Sequence, residues 1–275
     1  MDDWQNWPTD PKPSPFSTSE ERLLVAECDV LIVTATQFVE RYKNNIPPPL
    51  LIPNGADFEF FSAEAKRPRE LGRLPRPVVG YYGAISQWFD VELMTETARR
   101  RPQYSFVLIG QVHQVDVSRL ARLPNVRFLG EKNYRDLPRY LAGFDVCLIP
   151  FRVNRLTRAV DPVKLYEYLS QGKPVVATAM GELPPDPDLV VTAGSREEFL
   201  AALDRGVAER DDPEAGGRRA RRIAYAQANT WSARADILED ALRDAFPLVS
   251  ILIVTYNCEE FLGPCLDSIV RNSAW

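Results

Sequence analysis

The stretch FDVCLIPFRVNRLTRAVDPVKLYEYLSQGKPVVAT (144–178) decides the fold. It opens on a short continuous apolar run, DVCLIP (145–150), the pattern of a strand covered on both faces. An arginine-bearing loop follows, and then DPVKLYEYLSQG (161–172), which carries the punctuation of a helix. Asp161 suits the N-cap, Pro162 the first helical position, and Gly172 the end. A second apolar run, KPVVATA (173–179), closes a strand–helix–strand unit.

The same alternation extends outward in both directions. Candidate strands are DVLIVT (29–34), PLLIP (49–53), PVVGYYG (77–83), YSFVLIG (104–110), NVRFLG (125–130) and DLVVTA (188–193). Between them lie the helical patterns DVELMTETARR (90–100) and RDLPRYLAG (135–143). Buried strands alternating with helices predict an α/β domain with a Rossmann-like doubly wound parallel sheet. Beyond residue 195 the pattern is purely helical. SREEFLAALDRGVAER (195–210) starts on Ser195 with Glu198 three residues later, a capping box, and RRARRIAYAQANT (218–230) and WSARADILEDALRDAF (231–246) follow.

The helix at 161–172 begins just past the carboxyl end of strand 145–150, where open α/β sheets bind ligands. Its free N–H groups and dipole suit an anion such as a diphosphate. Lys164 and Glu167, three apart, share one face of its first turns. Two readings stay open for them. They form an exposed ion pair worth about 0.2–0.5 kcal/mol, or the ammonium meets phosphate oxygens while the carboxylate accepts a ribose diol.

Composition excludes several classes. The chain has 275 residues, 45% of them hydrophobic, and a formal net charge of −5, which argues for a globular core and against a nucleic-acid binder. The one dense basic run, RRARR (218–222), reads as the solvated face of a helix. Four cysteines stand far apart with no CxxC, and the single histidine, His113, has no orienting neighbour, so no metal site is expected. Cys28 and Cys147 read as reduced thiols packed as small hydrophobes. No segment approaches the roughly 20 apolar residues of a membrane span, and MDDWQNWPTD lacks the pattern of a signal peptide. The expected location is cytoplasmic, a longer protein having scope for peripheral association at the inner membrane face.

Taken with IPNGADFEFF (52–61), VGYYGAISQWFDVELM (79–94), LPNVRFLGEKNYRDLPRYLAGFDVCLIPF (123–151) and ANTWSARADILEDAL (228–242), the segment 144–178 resembles glycosyltransferase family 4, of the GT-B fold. The resemblance runs from about residue 20 to 246 and keeps both the order and the spacing of the motifs. It implies a remnant of the N-terminal acceptor domain over 1–53. A C-terminal nucleotide-sugar-binding domain over 54–230 and a terminal crossover helix over 231–246 follow. It also implies that Glu167 holds the donor ribose, that Lys164 and Asp161 match a Ser-Pro-x-Lys-x-x-Glu variant, and that Gly83 opens the loop facing the diphosphate. Residues 131–134, ending on Tyr134, match the loop that meets the base, and Asn154 joins the donor-binding set. Two departures stand out. The first glutamate of the family's motif falls on Ala159, and the basic residues expected after the first strand fall on Ala84 and Phe89. Arg152, Arg155 and Arg158 are candidates to replace that charge or are solvated loop residues; Trp88 and Phe89 are candidates to line a sugar pocket.

The tail LVSILIVTYNCEEFLGPCLDSI (248–269) resembles the start of glycosyltransferase family 2, a GT-A fold, so 247–275 reads as a truncated second domain. Both ends look cut from larger domains, and the chain alone is expected to be inactive. The implied activity is metal-independent, cofactor-free transfer of a sugar from a nucleoside diphosphate donor (UDP- or GDP-type) to a glycan or lipid-linked acceptor, as in cell-surface polysaccharide synthesis. A nucleotide-sugar epimerase and a non-catalytic nucleotide-sugar-binding module are the alternatives.

Overall fold

The fold is seen in a computed structural model, which describes residues 15–245 and, beyond them, only 263, 266–268 and 271. The reading of 247–275 as the start of a second domain therefore lies outside the described residues, as do residues 1–14. Near the beginning, helix α1 (Pro15–Glu27), strand β1 (Ile32–Val33), helix α2 (Thr36–Arg41) and strand β2 (Leu50–Leu51) form a small parallel unit. Its apolar side chains Leu31, Val33, Ala35 and Phe38 pack with Ala159 as a separate cluster.

The main sheet holds β3 (Val78–Tyr82), β4 (Ser105–Ile109), β5 (Val126–Phe128), β6 (Val146–Ile149), β7 (Val175–Thr178) and β8 (Val191–Ala193), all parallel in the order β5-β4-β3-β6-β7-β8. Its helices are α3 (Phe58–Ser62), α4 (Arg69–Gly72), α5 (Val91–Arg100), α6 (Ser118–Ala121), α7 (Leu137–Gly143), α8 (Val163–Ser170), α9 (Arg196–Ala208) and α10 (Ala215–Ala228); α11 (Trp231–Ala245) follows. Every residue of β3, β4, β6 and β7 is buried, because helices cover both faces of these strands. All eight strands expected from the sequence are present, and the domain is the expected doubly wound α/β fold.

From β3 the chain builds one half of the sheet through β4 and β5. It then returns to β6, beside β3, to build the other half. The reversal leaves a crevice above the carboxyl ends of β3 and β6, where doubly wound folds bind ligands. Two devices lock this junction. Asp145, at the start of β6, accepts the Val78 N–H at 2.7 Å and pairs with Arg76. Gly80 gives its missing side chain to the ring of Phe144, which a Cβ there would approach to 2.2 Å. Above the strands, a bridge between Phe89 and Phe151 and hydrogen bonds from Asp90 N–H to Pro150 O (2.8 Å) and Arg152 N–H to Trp88 O (2.7 Å) zip the two loops together.

Helix boundaries follow the local signals in most places. Ser195 caps α9 by accepting the Glu198 N–H at 3.2 Å, and Gly172, at φ +68°, follows the last turn of α8 in the left-handed conformation. Two expectations are corrected. Pro162 and not Asp161 stands at the N-cap of α8, and the Asp161 carboxylate makes no cap bond because it is committed to the Asn54 N–H and the Tyr166 hydroxyl. The run RRARR (218–222) is also not a solvated face throughout. Arg222 is buried, paired with Glu209 and donating to Asp188 O at 2.7 Å, while Arg221 pairs with Asp186 and Asp188, and Arg218 with Asp212 and Glu209. Carboxylates at the end of α9 and before β8 convert a charged stripe into the clasp that holds α10.

Gly80→Ala is expected to destabilise the domain by at least about 1–3 kcal/mol through overpacking against Phe144. In Gly80→Ala/Phe144→Leu the loss should be smaller than the sum of the two single losses. Urea denaturation of the four proteins in this cycle checks it.

Candidate donor site at the sheet crossover

Glu167, on the second turn of α8, is 5% exposed although it is a carboxylate. Burial pushes its pKa up, opposed by Tyr82, by the Lys164 ammonium and by Tyr134. Tyr82 is the last residue of β3; its hydroxyl is buried and makes no hydrogen bond of ordinary geometry, and its ring meets Tyr168 edge-on at 4.8 Å. Tyr134 stands before α7 and is half exposed. Its ring stacks on Phe60 at 5.4 Å and meets Phe61 edge-on, so α3 holds its hydroxyl toward the same carboxylate. Burial, then the negative charges of Glu167 and Asp57, raise the Tyr134 pKa to about 12.

Lys164 lies one turn before Glu167 and forms no ion pair with it within 4.0 Å among the described residues. Its ammonium instead sits over the rings of Tyr81 (5.5 Å) and Phe151 (4.9 Å), within cation–π range. Burial lowers its pKa to about 8, against the pull of Glu167. Gly83, at φ +128°, makes the close approach possible: a Cβ there would come within 3.1 Å of Lys164 Cε. Gly110 performs the same service from β4, its Cα pressed so close to the Gly83 carbonyl that a Cβ would fall 2.0 Å away. The two glycines bring the loop after β3, the end of β4 and the start of α8 into one contact.

Asp161 is 5% exposed and joins three elements. It accepts the Asn54 N–H at 2.7 Å and the Tyr166 hydroxyl at 2.9 Å, while its own carbonyl accepts Asn54 Nδ2 at 2.6 Å. Arg234, on α11, donates to Asn54 O at 3.1 Å. Burial raises the Asp161 pKa to about 6; the bonds from Asn54 and Tyr166 and the Arg234 charge oppose it. Asp161 thus holds α8 to the linker that enters the sheet and indirectly to α11.

In front of α8 lies a cavity of about 260 Å³, walled by Ala84, Trp88, Phe151, Leu156, Ala159 and Val160, with Lys164, Asp161, Asn54 and Thr157 as its polar residues. Trp88 therefore borders the cavity, whereas Phe89 is fully buried against Tyr81 at 5.0 Å and does not line it. Ala159 is buried between this cavity and the small N-terminal cluster. Asn154 is turned elsewhere: its Oδ1 accepts the Thr157 N–H at 3.0 Å, and its own N–H donates to Thr157 Oγ1 at 3.0 Å, which shapes the turn before α8. Arg152 and Arg155 are exposed and border a neighbouring cleft that shares Trp88 and Leu156. His113 is a surface loop residue whose N–H donates to Ile85 O at 3.0 Å.

Of the residues expected at the donor site, Glu167, Lys164, Gly83 and Tyr134 converge; Asp161 lies beside them as a tie, and Asn154 supports the loop. Tyr82 lies within the strand run PVVGYYG (77–83), and its place beside Glu167 was not read from the sequence. Strand alternation alone could have found it, since Tyr81 and Tyr82 must point to opposite faces.

Comparison with known proteins agrees with this geometry. Residues 76–209 match the family model described as glycosyl transferases group 1. Over those residues the chain is similar to that family. TuaH of Bacillus subtilis (strain 168), which carries the name of a teichuronic acid biosynthesis glycosyltransferase, is 34% identical over 132 residues, 46% of this chain and 33% of its own length. The D-inositol 3-phosphate glycosyltransferase of Corynebacterium aurimucosum is 25% identical over 258 residues, covering 83% of this chain and 60% of its own. The chain thus spans about a third of one relative and 60% of the other. Among solved structures, sucrose-phosphate synthase from Thermosynechococcus elongatus superposes with a TM-score of 0.65 at 21% identity, over 83% of this chain and 61% of that one. Anabaena HepE in complex with UDP-glucose gives 0.62 at 18% identity, over 83% and 68%. These two likenesses establish the fold. No described helix is long and apolar enough to cross a membrane.

The Asp161 carboxyl should leave a pH signature in stability. Its folded pKa, about 6, lies above the roughly 3.9 of an unfolded aspartate. The protonated form is therefore favoured by folding, and this contribution is lost as pH rises from about 4 through 6. The loss should total up to about 2–3 kcal/mol. Urea melts of the wild type and Asp161→Asn between pH 4 and 7 should show a stability difference that grows in the variant's favour as pH rises.

Proposed function

We propose that the chain supplies the donor-binding half of a glycosyltransferase that takes a nucleoside diphosphate sugar. The observation that carries this is the convergence of a buried carboxylate (Glu167), a buried unpartnered hydroxyl (Tyr82) and a lysine held on a glycine turn (Lys164, Gly83) at the carboxyl ends of β3 and β6. Glu167 is one turn behind Lys164, the right order for a ribose diol followed by a diphosphate. The carboxylate accepts the two ribose hydroxyls, in charge-assisted bonds. Lys164 and the open N–H groups at the start of α8 receive the diphosphate and stabilise the negative charge that grows on it as the glycosidic bond breaks. Tyr134, stacked on Phe60, borders the nucleoside side.

The 1–53, 54–230 and 231–246 divisions belong to the same proposal, as does the start of a GT-A domain at 247–275, which rests on the LVSILIVTYN pattern. The acceptor is a glycan or a lipid-linked glycan, and cell-surface polysaccharide assembly at the inner membrane face is the setting; the name of TuaH supports that setting. The UDP-glucose held by HepE makes UDP the first nucleotide to test, with GDP beside it. Ala159 and Phe89, which stand in the core where the family carries charge, favour a second reading as a non-catalytic nucleotide-sugar module. Sugar transfer by the chain joined to an acceptor domain separates the two.

Glu167→Gln should weaken UDP, or GDP if that is the nucleotide bound, by roughly tenfold to a hundredfold, since hydrogen bonds to a charged group are worth about 1.5–3 kcal/mol. Folding stability should hold or rise slightly, because burial already opposes the carboxylate charge. Lys164→Met should weaken UDP far more than uridine. Calorimetric titration of both ligands decides it; an unchanged affinity in Glu167→Gln would remove the ribose assignment.

A pH profile gives an independent check. Lys164 must be protonated to hold phosphate, and its pKa in the free protein is about 8. UDP affinity should therefore fall as pH is raised from 7 to 9.5, and the fall should be absent in Lys164→Met.

A further inference from the structure

The cavity in front of α8 is unusual in how few of its side chains remain free to hydrogen-bond. Thr157 spends its hydroxyl on Arg152 O (2.5 Å) and on the Asn154 N–H. Asn54 spends its backbone N–H and its Nδ2 on Asp161 and its backbone carbonyl on Arg234, which leaves its side-chain Oδ1 as an acceptor beside the cavity. The Asp161 carboxylate is taken by Asn54 and Tyr166. Trp88 turns its indole N–H toward the Tyr81 hydroxyl, which itself donates to Ala84 O at 2.8 Å, so what Trp88 offers the cavity is ring surface. Lys164 is the one lining side-chain cation, and the diphosphate claims it. The remaining walls are Ala84, Phe151, Leu156, Ala159 and Val160.

A fully hydroxylated hexose pressed against such walls loses water from its hydroxyls without replacement partners, and each buried unsatisfied hydroxyl is costly. Removing a ring hydroxyl relieves that cost but leaves a gap, which forfeits contacts on one side. Replacing the exocyclic CH2OH by CH3 relieves the cost and keeps a carbon to fill the space. We propose, resting on the donor-site reading above, that the sugar taken here is a 6-deoxyhexose whose methyl group packs on the Trp88, Leu156 and Val160 wall. Those three residues set donor specificity by exclusion of hydroxyls.

The test is calorimetric titration of the full chain with UDP and with matched donors that differ in one hydroxyl: UDP-glucose against UDP-6-deoxyglucose, TDP-glucose against TDP-6-deoxyglucose, and GDP-mannose against GDP-6-deoxymannose. TDP and GDP alone run beside them. In the pair whose nucleotide binds, the 6-deoxy donor should bind roughly tenfold tighter. Val160→Thr, which keeps side-chain volume and offers a hydroxyl, should shrink that ratio, with thermal unfolding confirming that the variant folds. Equal or tighter binding of the hydroxylated donor, while the nucleoside diphosphate alone still binds and Glu167→Gln still weakens it, overturns the sugar assignment and leaves the donor site standing. A deoxy preference unchanged in Val160→Thr overturns its assignment to this wall. Failure of every nucleotide to bind sinks both.

Discussion

The architecture of the site depends on one buried carboxylate. Asp161 ties the linker at Asn54 to the first turn of α8 through Tyr166, and Asn54 in turn receives Arg234 from α11. Without that tie, α8 would still pack on the sheet through Leu165, Tyr168 and Leu169, but its start would not be registered against the linker. The interaction is expensive, since burial raises the Asp161 pKa to about 6. A buried polar group is tolerated only when its bonds are made, and here the backbone N–H of Asn54, a phenol and a nearby guanidinium supply them. What results is position: the N-terminus of α8 faces the crevice with Lys164 on its inner side.

The same economy appears one turn later. Glu167 and Lys164 are both disfavoured as ions by burial, and each is only partly relieved by the other. They do not close into an ion pair. Lys164 is drawn instead over Tyr81 and Phe151 and toward the bare Cα of Gly83. Two opposite charges kept apart in a poorly solvated crevice, beside the buried Tyr82 hydroxyl, hold interaction capacity that the proposed function assigns to a diol and a diphosphate. Perturbed charges concentrated in one cleft are what binding sites look like physically.

Apolar packing around the crevice has displaced charge that the family resemblance led one to expect. Phe89, where a basic residue was expected, is locked under the sheet end against Tyr81 and bridges to Phe151, so it zips the loops after β3 and β6. Ala159 lies against Leu31, Val33, Ala35 and Phe38, which makes it part of the contact between the N-terminal unit and the cavity in front of α8. Phe89 joins the two loops by its bridge to Phe151, and Ala159 presents no polar side chain to the cavity.

The sequence by itself determined the strands, the helices and the place of the crevice. Continuous Val, Ile and Leu runs have few solutions other than a sheet covered on both faces, and the cap residues Ser195 and Gly172 act within their own turns. It also placed Lys164 and Glu167 on one helix face, because that follows from spacing alone. Only the tertiary structure decided that Asp161 bonds outward to Asn54 and leaves the N-cap to Pro162, that Tyr82 and Tyr134 meet Glu167, that Asn154 props a turn, and that Arg222 is buried on Glu209. Each of these joins residues far apart in the chain, or makes a side chain choose between a local partner and a distant one. A local pattern lists the partners a side chain could take, and the packed surroundings settle which of them is within reach and which would be left in water.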